Sequence, residues 1–543
     1  MTADVVWRGR MWSPGLDAPA ESAIAARNGR LVARGQAALD EIGAGTTVHY
    51  AGSGLLVPGF IDAHVHPVQG GLERMRCDLT EGRTSDDYLH TIAAYARKHP
   101  DRAWVLGGGW RLEAFPGGSP TAAALDTVVG DRPVFLPNRD HHGAWVSTAA
   151  LRLAGIDERT PDPVDGHIVR DEAGRPTGTL HEGATDLVGR LVPADSPDDQ
   201  AEGLLVAQDY LHSLGITGWQ DAIIGVYSNI ADSSDAYARL DGDGRLTARV
   251  VGALWWERDR GLEQLPELVA ARRRLSGRRF RATSVKIMQD GVPETFTAAM
   301  LEPYTDPCGC RSLGAGMSFV DPVQLGEYVS SLDAEGFQVH VHAIGDRAVR
   351  EALNAIEEAR RRNGANDHRH QLAHIQIVHP DDVPRFGALD AVANMQPLWA
   401  AHEPQMDDLT MPYLGVERSG WQYPFASLHR SGARLAAGSD WPVTTPDPLA
   451  GIHVAVNRSL PPREGDVREA FLPEQALSLQ TALTAYTGGS AYANHADDAG
   501  RLEVGALADV VLLDRDVFAG EAAAIAEASV LATWVGGEEV FAT

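Results

Sequence analysis

Apolar residues in the middle of the chain follow two alternating periods. Short apolar runs of strand length, such as FQVHVHAI at 337–344, are followed by longer segments whose apolar residues recur at helical spacing. In the segment after this run, the helical stripe consists of Val349, Ala352, Leu353, Ile356 and Ala359. Repeated strand–helix alternation is typical of βαβ units, which place their strands in one parallel sheet. The pattern therefore predicts an α/β fold.

The two ends of the chain have a different pattern, made of short alternating runs bounded by glycine. VVWRGRMW, SAIAARNGRLVARG and TTVHYAGSGLLV lie in the first 57 residues, and GRLEVGALADVVLLDRD and VLATWVGGEEVF follow residue 499. Such runs are typical of antiparallel strands joined by tight turns, with Asn28-Gly29 as a hairpin signal. We predict one β-sandwich domain assembled from 1–57 and 500–543, with a central domain at 58–499.

Five apolar runs of the central domain end in candidate metal ligands. His64-Val65-His66 places two imidazoles on the same side of a strand end, because strand side chains alternate between faces. His340 and His342 share a face in the same way, so the residues leave open which of them is a ligand. The remaining runs end in Lys286, His374 and Asp440.

The spacing of these residues fits a (β/α)8 barrel, which uses about 31 residues per unit and gathers its functional groups at the carboxyl ends of the strands. His342 and His374 are 32 residues apart, and His374 and Asp440 are 66 apart, which corresponds to one and two units. His66 and Lys286 are 220 residues apart, whereas three units need only about 94. We therefore predict ligands on strands 1, 4, 5, 6 and 8, and an inserted subdomain at about 70–195.

Composition and charge exclude several classes of partner. Lys and Arg number 47 against 74 Asp and Glu, and the resulting charge of −27 repels phosphate backbones and anionic membranes. The first 20 residues lack the apolar core of a signal peptide, and the chain has no run of 18 apolar residues. The three cysteines form no CxxC pair and are expected to be reduced. We expect a cytoplasmic protein that binds neither nucleic acid nor membranes; a homodimer is possible.

Several motifs together resemble the amidohydrolase superfamily, and most closely its YtcJ-like branch, which includes the N-substituted formamide deformylases. They are GLLVPGFIDAHVH, GRPTGTLHEGA, VKIMQDG, HAIGDRAV, AGSDWPV and GRLEVGALADVVLLDRD, and they cover nearly the whole chain. The HAIGD match favours His342 over His340. The resemblance implies metal ligands at His64, His66, Lys286, His342, His374 and Asp440.

The same resemblance implies further roles. Asp440 corresponds to the general acid/base, and Lys286 to a lysine that some members carboxylate to bridge two metals; an ordinary lysine paired with Asp290 is the alternative. We expect His142, Asp290 and Trp441 to contact substrate. The cofactor is expected to be one or two divalent ions, with zinc as first choice and iron, manganese and cobalt also suited to these ligands.

The predicted function is hydrolysis, by metal-activated water, of a C–N bond in a non-peptide amide, formamide or cyclic amide of a small molecule. A deaminase or another reaction of the superfamily at the same site is the alternative. Deaminating relatives usually carry a Glu a few residues after the strand-5 histidine, where this chain has Asp346. A catalytically silent binding barrel is a third hypothesis, and the presence of all six candidate ligands argues against it.

Overall fold

The computed structural model describes residues 2–139, 141–163, 165–227, 230–461 and 469–543. Its centre is a sheet of eight strands, each parallel to the next. Just beyond the strand ends, the Asp440 N–H donates to the His64 carbonyl and the His66 N–H to the Trp441 carbonyl, both at 2.8 Å, which joins the last strand to the first. Barrel strands 1 to 8 are Phe60–Val65, Ile216–Ile224, Arg249–Trp255, Phe280–Met288, Gln338–Ala343, Gln371–His374, Val392–Met395 and Arg434–Ala437.

This arrangement confirms the predicted (β/α)8 barrel. The candidate ligands lie on or directly after barrel strands 1, 4, 5, 6 and 8, as the spacing indicated. The predicted stripe of Asp346–Asn363 faces inward, since its five apolar residues are all buried. The helices around the barrel are Pro197–Ser213, Ser234–Gly242, Leu265–Arg274, Pro322–Ala334, Asp346–Asn363, Val383–Leu389, Met411–Ser419, Phe425–Arg430, Pro448–Asn457, Leu479–Thr484 and Ser490–Ala493.

An insert between barrel strands 1 and 2 forms its own six-stranded sheet. The insert begins with the helix Pro67–Arg74, which crosses Pro197–Ser213 so closely that a side chain on Gly71 would collide with the carbonyl oxygen of Gly203. The strands of the insert are Cys77–Asp78, Val105–Gly108, Val134–Pro137, Gly143–Val146, Gly166–Arg170 and Pro176–Glu182. Its helices are Ser85–Lys98, Ala122–Val129, Thr148–Ala154 and Asp186–Gly189.

Both ends of the chain enter one further sheet of eight strands, as predicted. Leu55–Pro58 pairs antiparallel with Val510–Leu513 and so joins the two ends. Asn28 and Gly29 have positive φ angles of 51° and 75° in the two-residue turn between strands, which is the conformation such hairpins need. The strands are Val5–Met11, Ala20–Arg27, Arg30–Arg34, Thr47–Tyr50, Leu55–Pro58, Val510–Leu513, Val530–Val535 and Glu538–Ala542.

Two further observations concern the chain as a whole. In the ranges given above, none of the helices combines the length and the apolar character needed to cross a bilayer. The expectation that all cysteines are reduced is wrong for one pair, because Cys308 and Cys310 form a disulfide. Their Cα atoms are 5.3 Å apart, a separation that a disulfide can bridge. Cys77 is buried and free.

Candidate metal centre

The six predicted ligands converge at the carboxyl end of the barrel, and we call them the edge cluster. The carboxylate of Asp440 is central: its Oδ1 lies 3.2 Å from His64 Nε2 and 3.0 Å from His66 Nε2. Its Oδ2 lies 3.9 Å from His374 Nδ1. The edge cluster consists of His64, His66, Lys286, His342, His374 and Asp440, of which all but the half-buried His66 are buried.

The backbone brings these side chains together at some conformational cost. His374 and Asp440 have φ angles of 74° and 57°, in the left-handed region that non-glycine residues rarely adopt. Such strain is concentrated at functional sites. Gly438, two residues before Asp440, has no room for a side chain, since a Cβ atom there would lie 2.6 Å from the His64 nitrogen. The glycine lets the end of barrel strand 8 approach barrel strand 1.

Three imidazoles of the edge cluster have the protonation state that metals require. Burial, and the nearby charge of Lys286 or another histidine, holds the pKa of His64, His342 and His374 well below the usual value. These rings are therefore neutral. Within the described residues, His342 Nε2 and His374 Nδ1 are buried without a hydrogen-bond partner. An unsatisfied buried polar atom costs about 1–3 kcal/mol, which a metal bond would offset.

Lys286 and Asp440 complete the charge pattern of the edge cluster. Burial lowers the pKa of Lys286 to about 7 against the opposing charge of Asp440, and its Nζ lies 3.4 Å from His64 Nε2. For Asp440 burial acts to raise the pKa, but the hydrogen bond from His66 and the nearby positive charge of Lys286 outweigh it and lower the pKa to about 2. One ligand atom each from His64, His374 and Asp440 lie within 4.8 Å of one another. The cluster therefore fits a divalent ion.

His340 lies one layer below the edge cluster and orients His64. Its Nε2 is 2.8 Å from His64 Nδ1, and its Nδ1 is 2.8 Å from the amide oxygen of Gln220. Because that oxygen can only accept, His340 carries its proton on Nδ1 and accepts the Nδ1–H of His64 at Nε2. His64 Nε2 then keeps its lone pair at the barrel edge. Of the two candidates on barrel strand 5, His342 lies at the edge with the other predicted ligands, whereas His340 supports the cluster from below, which favours His342.

Asp62 is a second supporting residue that the sequence did not indicate. Its Oδ1 accepts the backbone N–H groups of His64 and Ser439, and its Oδ2 accepts the Ser439 hydroxyl at 2.6 Å. These bonds hold barrel strand 1 against the segment that carries Asp440. The alternation of Asp62 with His64 and His66 along one strand face was the available signal.

The three residues predicted to contact substrate lie in different environments. His142 lines a cavity of about 70 Å³ together with His342, His374 and Asp440. Trp441 lines an adjoining cavity of about 460 Å³. Asp290 is fully buried, and its carboxylate accepts three backbone N–H groups, from Ala299, Ile344 and Gly345. We therefore correct its predicted role: Asp290 organises loops behind His342, because the backbone occupies both of its oxygens.

Glu182 is a site residue that sequence reasoning missed. It ends the last strand of the insert, and both of its carboxylate oxygens lie 3.0 Å from His142 Nδ1. The only signal was its place in the GTLHEGA motif. His370, in the loop directly before barrel strand 6, is also buried, with its Nε2 2.8 Å from Asp333 Oδ1.

Comparisons with known proteins find relatives over most of the chain. A model of the amidohydrolase family matches residues 51–541. Over 492 residues the chain is 30% identical to the YtcJ protein of Bacillus subtilis (strain 168), covering 90% of this chain and 89% of that one. It is 28% identical to an N-substituted formamide deformylase of Arthrobacter pascens, covering 89% and 87%. The crystal structure of an uncharacterized metal-dependent hydrolase from Pyrococcus furiosus superposes with a TM-score of 0.71 at 26% identity, over 94% of this chain and 99% of that one.

Proposed function

This chain belongs to the amidohydrolase family, and on that premise we propose that it hydrolyses a C–N bond, other than a peptide bond, in a small amide, formamide or cyclic amide. The observation that carries the proposal is the edge cluster, in which the neutral imidazoles of His64, His342 and His374 accompany one ionised carboxylate, and two buried nitrogens lack hydrogen-bond partners among the described residues. Such a donor set binds a divalent ion and activates water.

The metal would be held by His64, His66, His342, His374 and Asp440, with zinc as first choice because nitrogen and carboxylate oxygen ligands suit it. When bound, a divalent ion lowers the pKa of a water molecule and polarises a carbonyl group. Lys286 decides the number of ions. Carboxylation needs a neutral amine, and burial brings the pKa of Lys286 to about 7, where neutral amine is abundant at physiological pH. A carboxylated Lys286 would favour two ions, and a free lysine one.

Residues around the proposed metal site would transfer the proton and contact the substrate. Asp440 is ionised and accepts the proton of the attacking water, which it then delivers to the departing nitrogen. The Trp399 ring is parallel to the His374 ring at 5.3 Å and, with Met406 and Tyr423, gives the cavity an apolar wall. This wall suits a neutral molecule with an apolar substituent. The similarity to an N-substituted formamide deformylase supports the same class of substrate.

The structure removes support from the deaminase alternative. Asp346, the acidic residue after barrel strand 5, is buried, and its Oδ1 accepts the backbone N–H of Leu301 at 2.8 Å. It therefore serves the loop rather than the cavity, and residues 343–350, which follow His342, contain no glutamate.

A substrate screen with a metal assay tests the proposal. Protein loaded with zinc or manganese is offered formamides, acyl-amino acids, lactams, imides and aminated heterocycles, and bound metal is counted by mass spectrometry. We expect bound metal and turnover of at least one amide class. Asp440→Asn protein, prepared in the same way, controls for contaminating hydrolases. Turnover confined to aminated heterocycles with release of ammonia would contradict the proposal.

A further inference from the structure

We infer that the substrate spans two adjoining cavities, with its acyl group beside the edge cluster and the substituent of its amide nitrogen in the larger space next to it. The small cavity is the space of about 70 Å³ lined by His342, His374 and Asp440, and the large cavity is the space of about 460 Å³ lined by Trp441. The inference rests on the proposed function and specifies its substrate class: amides that join a short acyl group to a bulky amine.

Four residues line both cavities and mark the boundary between them: Arg139, Glu403, Val443 and Thr444. Arg139 comes from the insert, Glu403 from the segment after barrel strand 7, and the other two from the segment after barrel strand 8. Arg139 Nε donates to the Val443 carbonyl at 2.6 Å, and its Nη1 lies 3.9 Å from Glu403 Oε2. Polar groups therefore surround the boundary, which suits a polar amide group that crosses it.

The proposed role of Asp440 determines which side of the amide bond each cavity receives. A group that delivers a proton to the departing nitrogen must come within hydrogen-bond reach of it, at about 2.6–3.2 Å. Asp440 lines the small cavity, and the four residues that follow it, 441–444, line the large one. The nitrogen is therefore placed near the boundary, and the large cavity is the space that receives its substituent.

The acyl group lies on the far side of the carbonyl carbon from the nitrogen, toward barrel strands 5 and 6. These strands supply His342 and His374, and they lie across the barrel from the strand 8 and strand 1 segments that border the large cavity. The apolar wall of the small cavity consists of Trp399, Met406 and Tyr423. A cavity of about 70 Å³ has room for only a few water-sized groups, and the reacting carbonyl and the attacking water take part of it. Only a short acyl group, such as formyl or acetyl, fits.

The large cavity has the size and the walls for a bulky substituent. Volumes of about 300–1,000 Å³ are typical of pockets for drug-sized ligands. Its lining includes Leu398, Leu460 and the rings of Trp441 and Tyr210, whose centres are 5.5 Å apart. Gly70 packs directly against the Trp441 ring, since a Cβ atom there would lie 2.6 Å from it. Packing therefore holds this wall in place, and its aromatic and aliphatic surface suits a ring on the amide nitrogen.

The charged residues of the large cavity favour an uncharged substituent. Its lining contains four arginines and four acidic residues, so an ionic group of either sign would meet like charges as well as opposite ones. One of the arginines is already placed over an aromatic ring, with the Arg74 guanidinium 3.9 Å from the ring centre of Tyr210. The charged set consists of Arg74, Arg83, Arg111, Arg139, Glu73, Asp78, Glu81 and Glu403.

The first test compares two isomeric amides and needs no variant. N-(2-naphthylmethyl)acetamide carries its ring on the nitrogen side, and N-methyl-2-(2-naphthyl)acetamide carries the same ring on the acyl side, so the two differ in the direction of the amide and not in atom content. Zinc-loaded protein should hydrolyse the first with a kcat/KM at least about 100-fold higher, because only the large cavity has room for the ring. Equal values, or a preference for the second compound, would overturn the inference.

The second test measures binding without turnover, in zinc-loaded Asp440→Asn protein titrated calorimetrically with N-(2-naphthylmethyl)acetamide. Ala450 lines the large cavity from the helix Pro448–Asn457, and Ala450→Phe should raise the dissociation constant about 10-fold by filling that space. Ala37→Phe is the matched control, because Ala37 is exposed in the short helix Gln36–Asp40 near the terminal sheet, and it should change the constant less than about twofold. Equal dissociation constants in the two variants would overturn the inference.

The two tests separate this inference from the proposed function. Equal hydrolysis of both isomers would refute the inference and leave amide hydrolysis standing. Binding that Ala450→Phe alone weakens, without hydrolysis of any amide by the unmodified protein, would refute the proposed function and leave the large cavity as a ligand site. Neither binding nor hydrolysis of the two compounds would refute the inference, and the wider substrate screen would then decide the proposed function separately.

Discussion

Two layers of buried polar residues inside the barrel differ in how completely they are hydrogen-bonded. The inner layer lies below the edge cluster, and Gln371 donates there to the Gln220 oxygen at 2.5 Å, while Asn394 donates to the Gln371 oxygen at 2.8 Å. The edge cluster instead leaves His342 Nε2 and His374 Nδ1 without partners among the described residues. The inner layer consists of Gln220, Gln338, His340, Gln371 and Asn394.

This difference indicates that the inner layer stabilises the barrel and that the edge cluster has unsatisfied groups available to a ligand. Burial of polar groups costs free energy in both layers, but in the inner layer hydrogen bonds within the protein offset that cost. In the edge cluster only a bound ligand offsets it. Substitutions in the inner layer, apart from His340 with its bond to His64, should therefore lower stability and spare metal binding, and removal of an imidazole of the edge cluster should do the reverse.

The largest effect is expected from Asp440→Asn in the edge cluster. The amide cannot accept the water proton, and loss of a general base typically costs about 10²- to 10⁴-fold in rate. Its oxygen can still coordinate, so substantial metal should remain bound. Turnover of a responsive amide and metal content by mass spectrometry check both parts. A variant with near-normal turnover would show that another residue moves the proton.

Breaking the link between the layers should have the next largest effect. His340→Phe removes the acceptor for His64 Nδ1–H, and such outer partners of metal ligands typically contribute about 10- to 100-fold in metal affinity. Competition with a chelator measures the affinity. His370→Phe is the matched control, because His370 is also buried but bonds to Asp333 outside the cluster. Equal losses in the two variants would mean that His340 acts only through the fold.

The sequence was informative where candidate ligands recur at the fixed spacing of the barrel units. The residues of the edge cluster could be predicted to meet because each ends an apolar run and the runs recur at the barrel period. The pairing of Glu182 with His142 could not, because it depends on how two antiparallel strands of the insert align 40 residues apart. Asp290 was misassigned for the same kind of reason: the backbone N–H groups that occupy its carboxylate come from loops whose paths the pattern does not fix.

Gln371→Leu tests the inner layer itself. It leaves the Gln220 oxygen and an Asn394 donor with one partner fewer, and such losses cost about 1–3 kcal/mol each. We expect a lower free energy of unfolding in denaturant titrations of zinc-loaded protein, at unchanged metal content. A variant that lost its metal but kept its stability would reverse the assignment of the two layers.

The smallest effect concerns a buried carboxylate–histidine pair outside both layers, which should behave like the inner layer. Burial acts to raise the pKa of Asp333, but hydrogen bonds from His370, Asn363 and Asn366 outweigh it and bring the pKa to about 2. A lowered carboxyl pKa stabilises the fold fully above the usual value near 4 and loses that contribution as pH falls toward 2. Asp333→Asn should therefore cost about 1–2 kcal/mol at pH 7 and progressively less below pH 4. Denaturant titrations of chelator-treated protein at pH 7 and pH 3 measure this, since metal release at low pH then affects neither value. A cost that stayed constant with pH would mean that the charge of Asp333 contributes nothing and that only its hydrogen bonds matter.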